Sequence, residues 1–133
     1  MNKDFEVVMP LTTETYMFVG RKPLAVMFGG ERVEAKTWRE VYSVIIGRCN
    51  SDPHCHDMLM YLRNKTSGKV RMFLSDKPDN MSCSLKIDED LYGEIHYGSA
   101  TLMHILCIRI LEPAHFDYSK ISVVMKPRCQ DNG

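Results

Sequence analysis

Leu24-Ala25-Val26-Met27-Phe28-Gly29-Gly30-Glu31-Arg32-Val33-Glu34-Ala35, followed at once by Lys36-Thr37-Trp38-Arg39-Glu40, decides the fold class. Two strand-like runs flank a glycine pair, and glycine accepts the positive φ that a two-residue hairpin turn needs. The second run alternates charged and apolar residues, which predicts one wet face. Thr37 and Glu40 then stand at capping-box spacing, the threonine oxygen accepting the Glu40 amide while the carboxylate reaches back. Trp38, Val41, Tyr42, Ile45, Ile46 and Cys49 follow at the spacing of an amphipathic helix. A hairpin running straight into such a helix predicts an α+β fold.

Downstream, Ser51-Asp52-Pro53 breaks that helix and starts another, since proline at the first helical position loses no hydrogen bond. Met58, Leu59 and Leu62 give the second helix its buried face, and it frays around residues 64–68. Val70 to Leu74 is predicted as a strand, Ser75 to Ser84 as a loop, and Ile87 with Leu91 to Tyr97 as short extended segments around an acidic turn. Ser99 caps a nearly all-apolar helix ending at Glu112-Pro113. Such a helix is either the central core helix or part of a homodimer contact. Ile121 to Met125 is the last strand. Upstream, Phe5 to Met9 and Tyr16 to Val19 read as short strands. The expectation is one domain over residues 1–133, a mostly antiparallel sheet with about three helices on one face. Residues 1–22 are an N-terminal segment the sequence places poorly, 23–126 the core and 127–133 a loose tail.

The chain has 133 residues, enough for one sizeable core, with 44% hydrophobic and 26% charged residues. A net charge of zero gives the whole molecule no reason to coat nucleic acid or anionic lipid, so any such binding is local. No apolar run approaches the roughly 20 residues that span a bilayer, and the acidic N-terminus lacks the apolar core of a signal peptide. A cytoplasmic location and no membrane partner are expected. Five cysteines, an odd number without a small-scaffold pattern, predict reduced thiols. Ten methionines fit gap-filling in a core, or an adaptable partner surface if exposed.

Several constellations suggest chemistry. Cys49, His54, Cys55 and His56 carry zinc-ligand chemistry. However, residues 54–56 sit on one helical turn, where consecutive side chains point about 100° apart. A Cys–His hydrolase can be assembled on paper from Cys55, Cys83 or Cys107 with His54, His56, His96, His104 or His115. Cys107 lies inside the apolar helix and is expected to be an inert core thiol. The acid–x–lysine strand ending of metal-dependent nucleases is absent, Ser84-Leu85-Lys86 having serine where the acid belongs. Gly29-Gly30 lacks the following helix of a phosphate loop. No catalytic residue, cofactor or metal is predicted; a Cys–His or zinc enzyme is the second alternative.

Charge is the better lead. Arg63, Lys65, Lys69, Arg71 and Lys77 can track a phosphate backbone, with Tyr61 and Tyr97 as stacking partners if exposed. Asp88, Glu89, Asp90 and Glu94 form an opposed acidic run that can imitate phosphates in a basic groove. The first reading predicts binding to nucleic acid or a nucleic acid-bound complex. The alternative predicts an inhibitor seated on a nuclease.

Trp38-Arg39-Glu40-Val41, then Gly68-Lys69-Val70-Arg71-Met72-Phe73-Leu74-Ser75, Lys86-Ile87, Leu91-Tyr92-Gly93-Glu94-Ile95-His96-Tyr97-Gly98-Ser99 and Phe116-Asp117-Tyr118-Ser119-Lys120-Ile121 form a series. It resembles a small C-terminal domain of unknown function carried by bacterial defence nucleases of the ParB/sulfiredoxin-like type and by related restriction-system proteins. The similarity covers about Pro23 to Lys126, without the nuclease body and without any catalytic motif. It implies a setting in bacterial defence or in a mobile element contending with it. Within that setting the chain is a nucleic-acid reader or an anti-CRISPR-like inhibitor of a defence nuclease. Cys83 and the Asp88-Glu89-Asp90 run depart from the pattern.

Overall fold

The computed structural model describes residues 6–65, 72–79 and 81–127. Its strands are β1 (Val7–Pro10), β2 (Pro23–Phe28), β3 (Glu31–Glu34), β4 (Leu74–Ser75), β5 (Ser84–Asp88), β6 (Leu91–Glu94) and β7 (Ile121–Met125). The helices are α1 (Trp38–Ser51), α2 (Pro53–Leu62) and α3, which begins as an α-helix at Ser99–His104 and continues as a π-helix over Ile105–Leu111. This is a single α+β domain.

The expected hairpin forms as read. Gly29 takes a φ of +63°, and β2 pairs with β3 through Val26 opposite Val33 and Phe28 opposite Glu31. Thr37 Oγ1 accepts the Glu40 amide at 3.1 Å, so the cap is real. The returning Glu40 carboxylate takes the Lys36 amide, at 2.7 Å, one residue earlier than the capping box predicts. Val41, Tyr42, Ile45, Ile46 and Cys49 are buried as their spacing requires. The far end of α1 is tied back to the hairpin, because Arg48 meets Glu31 at 2.7 Å and lies 4.1 Å over the Phe28 ring.

Instead of one sheet there are two, both antiparallel. The first has the order β1-β7-β2-β3 and the second β4-β6-β5. Helix α1 packs against β2 of the first and β5 of the second. Alternation in Ser84-Leu85-Lys86-Ile87-Asp88 is the signal of β5, which begins where the sequence reading placed the end of a loop. Residues Val70 and Arg71 of the expected strand fall outside the described residues, and β4 starts at Leu74.

Three expectations need correction. Residues 7–18 pack into the core: β1 pairs along β7, and Leu11 and Phe18 are buried. Residues Thr15–Phe18 make a 3-10 turn rather than a strand, which lets Phe18 lean on Trp38 with ring centroids 5.2 Å apart. Gly98, not Ser99, is the N-cap of α3. That helix buries Leu102, Met103, Leu106, Ile110 and Leu111 in the chain's own core, and its widened second half shows in the Glu112 amide bonding the Cys107 carbonyl five residues back, at 3.0 Å. Gly93 is required by packing. A Cβ there would run into the hydroxyl of buried Tyr42 and meet Ile87 Cδ1 at 3.3 Å.

Candidate functional site: the charged end of α2

Helix α2 starts on Pro53 with Asp52 as its N-cap, and stops at Arg63. Asn64 then takes a left-handed φ of 62°, one of the few conformations asparagine tolerates better than most residues. Its amide bonds the Leu74 carbonyl at 2.8 Å, and its side chain bonds the Asp76 carboxylate at 3.1 Å. That hydrogen bond, first among its causes, holds the Asp76 carboxyl below its ordinary value. Asn64 thus staples the helix end to the β4 edge, which brings Arg63, Lys65 and Lys77 into one neighbourhood.

Within it, Tyr61 is 62% exposed and the Lys65 ammonium lies 4.6 Å from its ring centroid. Lys77 is exposed beside Asp76. Arg63 is half-buried, and its Nη1 donates to the Asp90 carbonyl at 2.7 Å. Lys69 and Arg71 lie outside the described residues. Tyr97, the other stacking candidate, is half-buried edge-on against Phe73 at 6.3 Å.

The acidic run is placed differently from its expectation. Asp90 occupies the β5–β6 turn at a φ of 57°, and its carbonyl receives Arg63, so the two charged stretches adjoin rather than oppose each other. Asp88 accepts from Asn50 at 2.9 Å and from the Glu89 amide at 2.7 Å, and these bonds lower its carboxyl's pKa. His56 completes that cluster, with Nδ1 at 2.7 Å from Asn50 Oδ1 and 3.6 Å from Asp88 Oδ2. Glu89 pairs with Lys86 at 3.1 Å. Glu94 is not on the surface at all. It is 1% exposed and accepts the amides of Ser82, Cys83 and His96 at 2.8, 3.0 and 3.1 Å. Contrary to its place in the acidic run, Glu94 has no surface to offer a partner.

Of the sulfur and imidazole candidates, Cys49 and Cys55 adjoin each other. Cys49 and Cys55 are buried, burial pushes the Cys49 thiol up to about 12, and Cys55 donates to Asp52 at 3.3 Å. His54 stacks on His115, with centroids 5.8 Å apart. Burial also lifts the Cys107 thiol to about 12, which leaves it no thiolate at neutral pH. Among the described residues no three His, Cys, Asp or Glu side chains converge as a metal site would require. No helix among them is long and apolar enough to cross a membrane.

Two concavities escaped the sequence reading. One, of about 260 Å³, lies between residues 11–15 and the π-helical stretch, lined in part by His104, Cys107, Ile108 and Tyr118. The Tyr118 hydroxyl there donates to Glu112 at 2.6 Å. The other, about 360 Å³, runs between residues 20–23 and the start of α1. Neither has a linear motif, since each is made by segments distant in sequence that the fold brings together.

No protein-family model, curated protein or solved structure matches this chain.

Proposed function

We propose that the chain is a non-enzymatic binding protein that engages nucleic acid, or a nucleic acid-loaded complex, through the basic end of α2. One observation carries the reading: an exposed tyrosine, Tyr61, with the Lys65 ammonium held over its ring and Arg63 and Lys77 alongside. An aromatic face gives an unpaired base something to stack on, and the cations meet the phosphates on either side. Lys69 and Arg71 continue the basic character in sequence. The setting proposed with it, on the motif resemblance, is bacterial defence or a mobile element, in the cytoplasm. The inhibitor reading through Asp88, Glu89 and Asp90 is weaker, because Asp88 is held by Asn50 and Glu89 by Lys86, while Glu94 is buried.

The test is binding to short single- and double-stranded DNA and RNA at about 50 and about 200 mM salt, where phosphate contacts weaken steeply. Salt-sensitive binding that Lys65→Glu reduces, at an unchanged melting temperature, is the expected result. Absence of binding at low salt, or equal affinity in the reversed variant, overturns it.

A further inference from the structure

We infer a second binding site, for the phosphate of a nucleotide, in the open groove between residues 20–23 and the start of α1. Its volume is about 360 Å³, and Arg21, Lys22, Lys36, Thr37 and Trp38 are among its walls, with no acidic residue among the described residues that line it. Lys22 reaches across with Nζ 3.4 Å from the Lys36 carbonyl, which leaves other N–H groups of the ammonium for a ligand. Arg21 Nε donates to the Met17 carbonyl at 2.9 Å.

Two carboxylates among the described residues border this cluster, and Glu34 offsets part of the Lys36 charge. Glu34 is shared between Lys36 at 3.1 Å and Arg32 at 2.9 Å. Glu40 sits on the Lys36 amide. The cap also occupies the Glu40 amide, so the positive character of the groove comes from its side chains.

The tryptophan selects the ligand class. Trp38 is half-buried, its Nε1 donates to the Arg21 carbonyl at 3.0 Å, and Phe18 supports its ring. A fixed indole beside Lys22, Lys36 and Arg21 offers a base a flat partner while the phosphate meets the cationic groups. An acidic peptide would use the cations and leave the indole idle. The site is built from residues 20–23 and the start of α1, separate from the Tyr61 platform, and does not depend on it.

Trp38 is the single tryptophan of the chain, so the site carries its own reporter. The full chain is titrated with a nucleoside monophosphate, the matching nucleoside and a short single-stranded oligonucleotide, following Trp38 emission and calorimetric heat together. A saturable response to a phosphate-bearing probe, weaker for the nucleoside by on the order of tenfold or more, is expected. Saturation by the monophosphate marks a free-nucleotide site, and saturation by the oligonucleotide alone marks a strand contact. Lys22→Glu with Lys36→Glu should weaken binding by a similar factor, the milder Lys22→Ala with Lys36→Ala should do so partially, and Lys65→Glu should leave this response intact. Silence from both phosphate probes in both measurements overturns the inference. So does a response that survives reversal of Lys22 and Lys36 but is lost in Lys65→Glu.

Discussion

The β5–β6 hairpin and the end of α2 touch through Arg63 and Asp90, carry opposite charge, and use it in different ways. In the hairpin, much of the charge already has a partner: buried Glu94 holds three amides, Asp88 holds an asparagine and an amide, and exposed Glu89 pairs with a lysine at the surface. At the helix end, Lys65 lies over an exposed ring and Lys77 faces solvent. The lesson is that a run of like charge in a sequence measures composition, whereas availability to a partner depends on what the fold has already bonded. Burial of Glu94 is possible because three charge-assisted hydrogen bonds offset its desolvation.

The largest expected effect breaks the inward side of this contrast. Glu94→Ala strands three backbone amides and should cost about 3 kcal/mol or more in chemical denaturation. A loss within the range of ordinary surface substitutions would mean the carboxylate is not structural. Next is the outward side. Tyr61→Ala should weaken oligonucleotide binding by about 1–3 kcal/mol without shifting the melting temperature, and an unchanged dissociation constant would remove the stacking platform. A sharper comparison sits one residue from Glu94. The Tyr42 hydroxyl is buried without a hydrogen-bond partner among the described residues, and both burial and the Glu94 charge raise its pKa. Tyr42→Phe should therefore leave stability unchanged or raise it by about 1 kcal/mol; a clear loss would reveal a partner for that oxygen.

The smallest effect concerns pH. Hydrogen bonding by Asn50 lowers the Asp88 pKa in the folded state, so its contribution is present above the unfolded carboxyl value and is lost as pH falls through the lower folded one. Asn50→Ala should raise the Asp88 pKa toward that of a free carboxylate, followed by side-chain NMR. No movement would assign the shift to the Glu89 amide alone.

Local patterns made the first half of the fold legible. Gly29-Gly30 announced the hairpin, Thr37 and Glu40 the start of α1, and Pro53 the start of α2. What stayed hidden depends on distant partners. Tyr16 to Val19 has strand composition, but burial of Phe18 against Trp38 favours a 3-10 turn. The π turns of α3 leave no periodic mark, because nearly every residue of Ile105–Leu111 is apolar. For the candidate site, residue types were readable and exposure was not. Tyr61 and Tyr97 look equivalent in sequence, yet only Tyr61 faces solvent. Glu94 looks like part of a solvated run until the amides of Ser82 and Cys83 are brought to it.

Because the two sheets are separate hydrogen-bonded ladders and α1 packs on both, that helix governs whether the molecule opens as one unit or two. Amide exchange would then read α1 as a coupling element: with its buried Ile45 and Ile46 in place, protons of β7 and β6 should exchange at a common global rate. Loosening α1 should split that rate, with the small β4-β6-β5 sheet surrendering its protons first. Evolution of the charged α2 end, which hangs on that smaller sheet through Asn64, would then be limited by the grip of a helix that contributes no residue to it.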